Sequence, residues 1–123
     1  MDVLVVDPSF SFPDLFERLL PEAHVRHVDH PEAALDAVLA YRPKVVIVDE
    51  NLPHRSGTWL LARLREVASG LPAILTSITP EDDRLLDSLD ELGVDWFQPK
   101  PYALFELLEA VAELTGPGPQ TKR

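Results

Sequence analysis

The side chains that could do chemistry together stand just past apolar runs. Asp7 follows Val3-Leu4-Val5-Val6, Asp49 follows Val45-Val46-Ile47-Val48, Thr76 and Ser77 close the run from Pro72, and Lys100 comes soon after Val94 to Gln98. Short, continuous, β-branched runs of this kind read as strands buried on both faces. Each polar group is therefore delivered to the end of a strand, and in an open α/β sheet ligands collect just beyond the carboxyl ends of the strands. Two carboxylates can hold a hard divalent cation such as magnesium, a hydroxyl can hydrogen-bond a phosphoryl oxygen, and a lysine can neutralise one as a point charge. Flanked by a cation and an ammonium, Asp49 could attack phosphorus as a carboxylate nucleophile and form an acyl phosphate.

The intervening stretches supply the elements that would position these groups. Ser11 or Phe12 caps a first helix with Pro13 in its first turn, Leu15, Phe16, Leu19 and Leu20 as its buried stripe, and Pro21 as its end. Residues 24 to 29 form a polar strand expected at an edge of the sheet. His30-Pro31-Glu32 starts a second helix with Ala33, Ala34, Leu35, Ala37, Val38 and Leu39 as its apolar face, and Pro43 leads into the central strand. Pro53 and Gly57 shape the loop after Asp49. Leu60, Leu61, Leu64, Val67 and Ala68 then recur at helical spacing, with Gly70 suited to the position past the helix end. After the fourth strand, Thr79-Pro80-Glu81-Asp82 has the cap, proline and acids of a helix start, and Leu85, Leu86, Leu89 and Leu92 carry its core stripe to Gly93. Val94 to Gln98 is a short fifth strand. A last helix, residues 103 to 114, buries Leu104, Leu107, Leu108 and Val111.

Strands alternating with helix-length crossovers predict an α/β fold, a doubly wound five-stranded parallel sheet with five helices. At 123 residues, 46% hydrophobic and 26% charged, one globular domain is expected over residues 1–115, with 116–123 a flexible tail or the start of a linker. A net charge of −10 argues against nucleic acid and anionic membrane surfaces, which need clustered Lys and Arg. No apolar run approaches the roughly 20 residues of a membrane span, and the amino terminus has no signal-peptide pattern, so a cytoplasmic protein is expected. The absence of cysteine excludes disulfides, thiolate metal sites and a cysteine nucleophile.

In order and spacing, Val5-Val6-Asp7, Asp49-Glu50-Asn51-Leu52-Pro53 with Gly57, Pro72 leading to Thr76-Ser77, and Gly93-Val94-Asp95-Trp96-Phe97-Gln98-Pro99-Lys100-Pro101-Tyr102 resemble the receiver domain of two-component response regulators. The resemblance covers about residues 2 to 114. It implies a flavodoxin-like sheet of order 2-1-3-4-5 and a phosphoacceptor signalling domain, at most self-phosphorylating and autodephosphorylating, rather than an enzyme. Asp49 would be the phosphoacceptor. Asp7, Asp49 and the Asn51 carbonyl would be magnesium ligands, Ser77 the hydroxyl on the phosphoryl group, Lys100 its ionic partner, Phe97 the switch aromatic and Lys100-Pro101 a cis peptide. An alternative alignment makes Thr76 the hydroxyl. The implied partners are a histidine kinase or phosphotransfer protein and a downstream protein target on the face from the fourth helix to the fifth, where acids would select a basic partner or discourage like-with-like dimers.

This sequence departs from the family's pattern at three positions. Pro8 stands where a second acid usually follows the first and ligates the metal, leaving Ser9, Glu50 or water to compensate. Ile78 stands where a small residue is usual, and Phe97 lacks the hydroxyl of the commoner tyrosine. These motivate a rival reading, a degenerate receiver that works as a phosphorylation-independent interaction module. A phosphatase with a strand-end aspartate nucleophile would place an acid/base aspartate two residues on, where this chain has Asn51. His24, His27 and His30 do not share one face of a strand, which favours ordinary surface roles over zinc. His54 lies in the loop after Asp49, a place to meet a partner, and Trp96 is expected as an exposed anchor or a half-buried packing residue.

Overall fold

The β-branched runs form strands because their side chains pack well on both faces of a pleated sheet. The computed structural model describes residues 1–10, 13–77, 87, 89–101 and 103–116. Its strands are β1 (Asp2–Val6), β2 (His24–Val28), β3 (Val45–Asp49), β4 (Ala73–Ser77) and β5 (Trp96–Pro99). They make one parallel sheet in the order β2-β1-β3-β4-β5, the expected doubly wound, flavodoxin-like topology. The helices are α1 (Pro13–Leu19), α2 (Pro31–Tyr41), α3 (Gly57–Val67), α4, with described helical residues Asp87, Leu89, Asp90 and Glu91, and α5 (Leu104–Thr115). The polar strand β2 lies at an edge, and β3, wholly buried, lies at the centre.

Alternation along the strands divides the core between the two faces. Leu4, Val6, Val46, Val48, Ala73 and Leu75 pack against Ala34, Ala37 and Val38 of α2 and Leu60, Leu61 and Leu64 of α3. On the other face Val3, Val5, Val45, Ile47 and Ile74 meet Phe10, Phe16 of α1, and Leu107, Ala110 and Val111 of α5. Burying each leucine of α3 contributes about 2 kcal/mol, so packing rather than propensity holds this helix in place.

Local signals set several helix ends. Ser56 accepts the Trp59 N–H at 3.0 Å as the cap of α3, and His30 does the same for α2, its Nδ1 accepting the Ala33 N–H at 3.2 Å. Gly93 takes φ +68 after α4, where a left-handed residue closes the helix. Gly70 does not have the role expected of it. α3 ends at Val67 with Ala68 as its cap, the Ala68 N–H donating to the Leu64 carbonyl, while Arg65 donates to the carbonyls of Ser69 and Leu71.

Other expectations are corrected. Leu15 and Leu19 are exposed, because the two-turn α1 directs only Phe16 fully into the core. Leu39 and Val67 are exposed because α2 and α3 run past the starts of β3 and β4, where both side chains line an open cleft with Pro43 and Pro72. The fifth strand begins at Trp96, not Val94. Val94 is still bonded back to the Leu89 carbonyl, and the Asp95 carboxylate accepts the Ala73 N–H at 3.0 Å as the chain joins the sheet. The expectations placed on Ser11, Phe12, Ile78, Thr79 to Asp82, Leu85, Leu86, Tyr102 and residues 117–123 lie outside the described residues.

Candidate functional site

Strand register sets the site. Val6 pairs with Val48, Asp49 with Thr76, and Thr76 with Gln98, so the polar residues ending β1, β3, β4 and β5 reach the same level. Asp7, Asp49, Thr76 and Gln98 continue the alternation of Val5, Ile47, Ile74 and Trp96, which belong to the α1–α5 side of the core. They form a buried polar layer above that core, with Asp7 and Asp49 each 4% exposed and Thr76 1%. Ser77, equally buried, is one residue further along β4, where its carbonyl accepts the Lys100 N–H at 2.8 Å.

Lys100 spans the two acids. Its Nζ lies 2.9 Å from Asp7 Oδ2 and 3.4 Å from Asp49 Oδ2. Burial by itself would pull the ammonium toward neutrality, but the hydrogen bond and charge of Asp7, with help from Asp49, raise its pKa and keep it charged. The Asp49 carboxyl is also shifted upward, first by burial and then by the Asp7 charge, against the opposing pull of Lys100 and of the nearby Asn51 main-chain N–H. Two carboxylates share one cation, and the less satisfied of the two is Asp49.

The oxygens of the two acids differ in their partners. Asp7 Oδ1 accepts the Ser9 N–H at 2.8 Å and the Ser9 hydroxyl at 3.0 Å. Asp49 Oδ1, in contrast, is buried with no hydrogen-bond partner, and so is Thr76 Oγ1 beside it. Glu50 does not face the site. Its carboxylate accepts the Thr58 N–H at 2.8 Å and the Thr58 hydroxyl at 3.3 Å at the start of α3, and burial raises its pKa against those bonds.

A hard divalent cation suits this oxygen chemistry: Asp49 Oδ1 is a buried oxygen without a partner, Asp7 shares the Lys100 ammonium with it, and Asn51, two residues beyond Asp49, is exposed. Among the described residues, no three His, Asp or Glu side chains converge as a metal site.

The family model described as "Response regulator receiver domain" matches residues 3–112. The chain belongs to this family. The receiver is 28% identical to the phosphate regulon transcriptional regulatory protein PhoB of Pseudomonas aeruginosa, over 94% of this chain and 53% of PhoB. It is 32% identical to a 14.6 kDa protein from the sodA1 3′ region of Leptolyngbya boryana, over 92% of this chain and 88% of that protein. The receiver thus spans about half the length of PhoB. In fold it is similar to a CheY-like receiver domain protein from Methanospirillum hungatei, at TM-score 0.81 and 20% identity over 91% of this chain and 90% of that one. Receiver domains are signalling domains rather than conventional enzymes, typically bind magnesium and imply a histidine kinase partner. Among the described residues, no helix is long and apolar enough to cross a membrane.

The structure brings Asp7, Asp49 and Lys100 together and sets Thr76 and Ser77 beside them. Lys100-Pro101 is a cis peptide, and Phe97 is half-buried against the core on the α2–α3 side. Trp96 is half-buried too, its Nε1–H donating to Gln98 Oε1 at 3.1 Å. Of the histidines, His27 is tied to the site, its Nε2–H donating to the Asp7 carbonyl at 2.6 Å. His24 stands near Glu17, and His54 near Glu32.

Sequence reasoning missed two contributors. Gln98 closes the polar layer, its Nε2–H donating to Glu106 Oε1 at 3.1 Å; a glutamine inside an apolar strand was the available signal. Gly57 was read only as a loop former. A Cβ there would lie 2.5 Å from the Asp49 carbonyl oxygen, so α3 can start this close to the end of β3 only with glycine at that position.

Proposed function

We propose that this receiver accepts a phosphoryl group on Asp49 from a histidine kinase or phosphotransfer protein and signals by docking to another protein. The supporting observation is Asp49 Oδ1, a buried carboxylate oxygen without a hydrogen-bond partner, on a side chain whose other oxygen faces an ammonium. In the transfer Oδ1 attacks phosphorus, the bond from phosphorus to the donor imidazole nitrogen breaks, and that nitrogen recovers a proton from solvent. Lys100 holds the product as its ionic partner, and Ser77, or Thr76 level with Asp49, supplies the hydroxyl contact. Asp49 and the Asn51 carbonyl, with Asp7 where it can be freed from its partners, would hold a magnesium ion, which would offset charge on the phosphoryl oxygens.

The new contacts act on the end of β4 at Thr76 and Ser77, with Phe97 as the packing element that answers, and shift the population of conformations at the output face. That face carries exposed Asp87, Asp90 and Glu91 around α4 and Glu106, Glu109 and Glu113 on α5, beside exposed Phe105. A basic, partly apolar protein surface is the matching partner.

The test is an intact mass after incubation with acetyl phosphate and magnesium. Addition of one phosphoryl group, lost in Asp49→Asn, is the expected result, and no adduct on the wild-type chain overturns the proposal. A second reading, an interaction module that needs no phosphate, is favoured by Pro8 standing in place of an acid and by Asp7 having partners on both oxygens. The same mass measurement separates the two.

A further inference from the structure

We infer that Ser9, next to the Pro8 that stands where a second carboxylate is usual, fixes Asp7, leaving a weak divalent-cation site in which Lys100 is the resident cation. This deepens the phosphoacceptor reading of Asp49 and rests on it.

The polar atoms of Asp7 are all engaged. Its N–H donates to the Val28 carbonyl at 3.1 Å, and its own carbonyl accepts from His27 Nε2 at 2.6 Å and from the Phe10 N–H at 3.4 Å. Oδ1 takes both the N–H and the hydroxyl of Ser9, and Oδ2 takes the Lys100 ammonium. The bond from Asp7 Oδ1 to the main-chain N–H two residues on is an Asx turn, and Pro8, with its fixed φ, occupies the middle of it. A proline at this point offers no ligand and helps to aim Ser9 back at Asp7.

A cation entering the site therefore finds one unpartnered carboxylate oxygen, the buried Asp49 Oδ1. To use Asp7 it must compete with Ser9 on one oxygen and with Lys100 on the other. Glu50 offers no replacement, because its carboxylate is bonded to Thr58. Magnesium sheds water reluctantly and favours near-octahedral oxygen shells, so a site with one unpartnered carboxylate oxygen leaves it mostly hydrated. Asp7 is thereby an anchor for Lys100 more than a metal ligand, and Ser9 is its positioning residue.

The experiment titrates the full chain with Mn2+, a hard cation whose binding is read directly by electron paramagnetic resonance. Wild type is compared with Ser9→Ala, Ser9→Thr and Pro8→Asp, and thermal unfolding shows that each variant is folded. Restoring a carboxylate in Pro8→Asp tightens Mn2+ at least tenfold. Ser9→Ala, which frees Asp7 Oδ1 from one charge-assisted hydrogen bond, tightens it on the order of threefold; Ser9→Thr keeps the hydroxyl and the wild-type Kd. An unchanged Kd in Ser9→Ala overturns the role of Ser9, and wild-type binding as tight as that of Pro8→Asp overturns the weak site. Neither failure touches the Asp49 adduct, whose mass measurement tests the underlying reading separately.

Discussion

Asp49 is poised at a cost to folding. Its pKa is raised above the ordinary 3.8 by burial and by Asp7, so its proton contributes stability that is fully present below the unfolded value and lost as pH rises through the folded one. The ionised carboxylate therefore opposes folding at neutral pH. Asp49→Asn should melt a few degrees higher than wild type at pH 7, with the gain shrinking as the pH is lowered toward 4; thermal unfolding across that range checks both parts. Lys100 works in the opposite sense. Removing the partner of a buried acid pair is costly, and Lys100→Met should lose about 3 kcal/mol in urea unfolding. Adding Asp49→Asn should restore part of that loss, since one carboxylate then suffers where two did, and a double-mutant cycle measures the coupling. This much of the site was legible because each acid, hydroxyl and lysine ends its own apolar run. The inequality between Asp7 and Asp49 was not, since it depends on where Ser9 and Glu50 point, and that is decided by a turn and by the start of α3.

At the scale of elements, the connection from β3 to α3 is the tightest in the site. The Gly57 N–H donates to the Glu50 carbonyl at 3.0 Å, and an added Cβ at Gly57 would meet the Asp49 carbonyl oxygen and the Glu50 Cα. Gly57→Ala should therefore destabilise by about 2 kcal/mol, as overpacking does. It should also slow phosphoryl uptake by moving Asp49, and chemical unfolding together with the timed appearance of the mass adduct checks both. Cap loss at α2 is milder: His30→Ala should cost about 1 kcal/mol. Elements with a single strong pattern were readable from sequence, β3 from its β-branched run and α2 from Pro31 and its small residues. The apolar residues read as buried but found exposed, Leu15, Leu19, Leu39 and Val67, share a reason. Helical periodicity says which face is apolar, but not how far the sheet extends beneath it. The displaced start of β5 is similar, since Val94 and Asp95 have strand composition and are claimed instead by the closing turn of α4 and by Ala73.

For the molecule as a whole, charge is the dominant feature that packing does not explain. The net charge is −10 over 123 residues, and the exposed acids of α4 and α5 have few cations near them among the described ion pairs, which are Arg26 with Asp2, Arg63 with Glu66, and Lys100 with its two acids, besides those involving histidine. Excess charge of one sign destabilises a compact state through self-repulsion, and salt screens exposed charges beyond about 10 Å at 0.1 M. Raising sodium chloride from low to physiological strength should therefore raise the melting temperature by roughly 2 °C, about what a few tenths of a kcal/mol does in a domain of this size. Choline chloride should do the same at equal ionic strength if screening is the cause, whereas a gain confined to sodium chloride would point to specific cation binding. The buried Lys100 cluster is shielded from this effect, so Lys100→Met should keep its deficit at high salt while surface repulsion fades. Running the salt series on both proteins separates the field of the whole surface from the local field that holds Asp49.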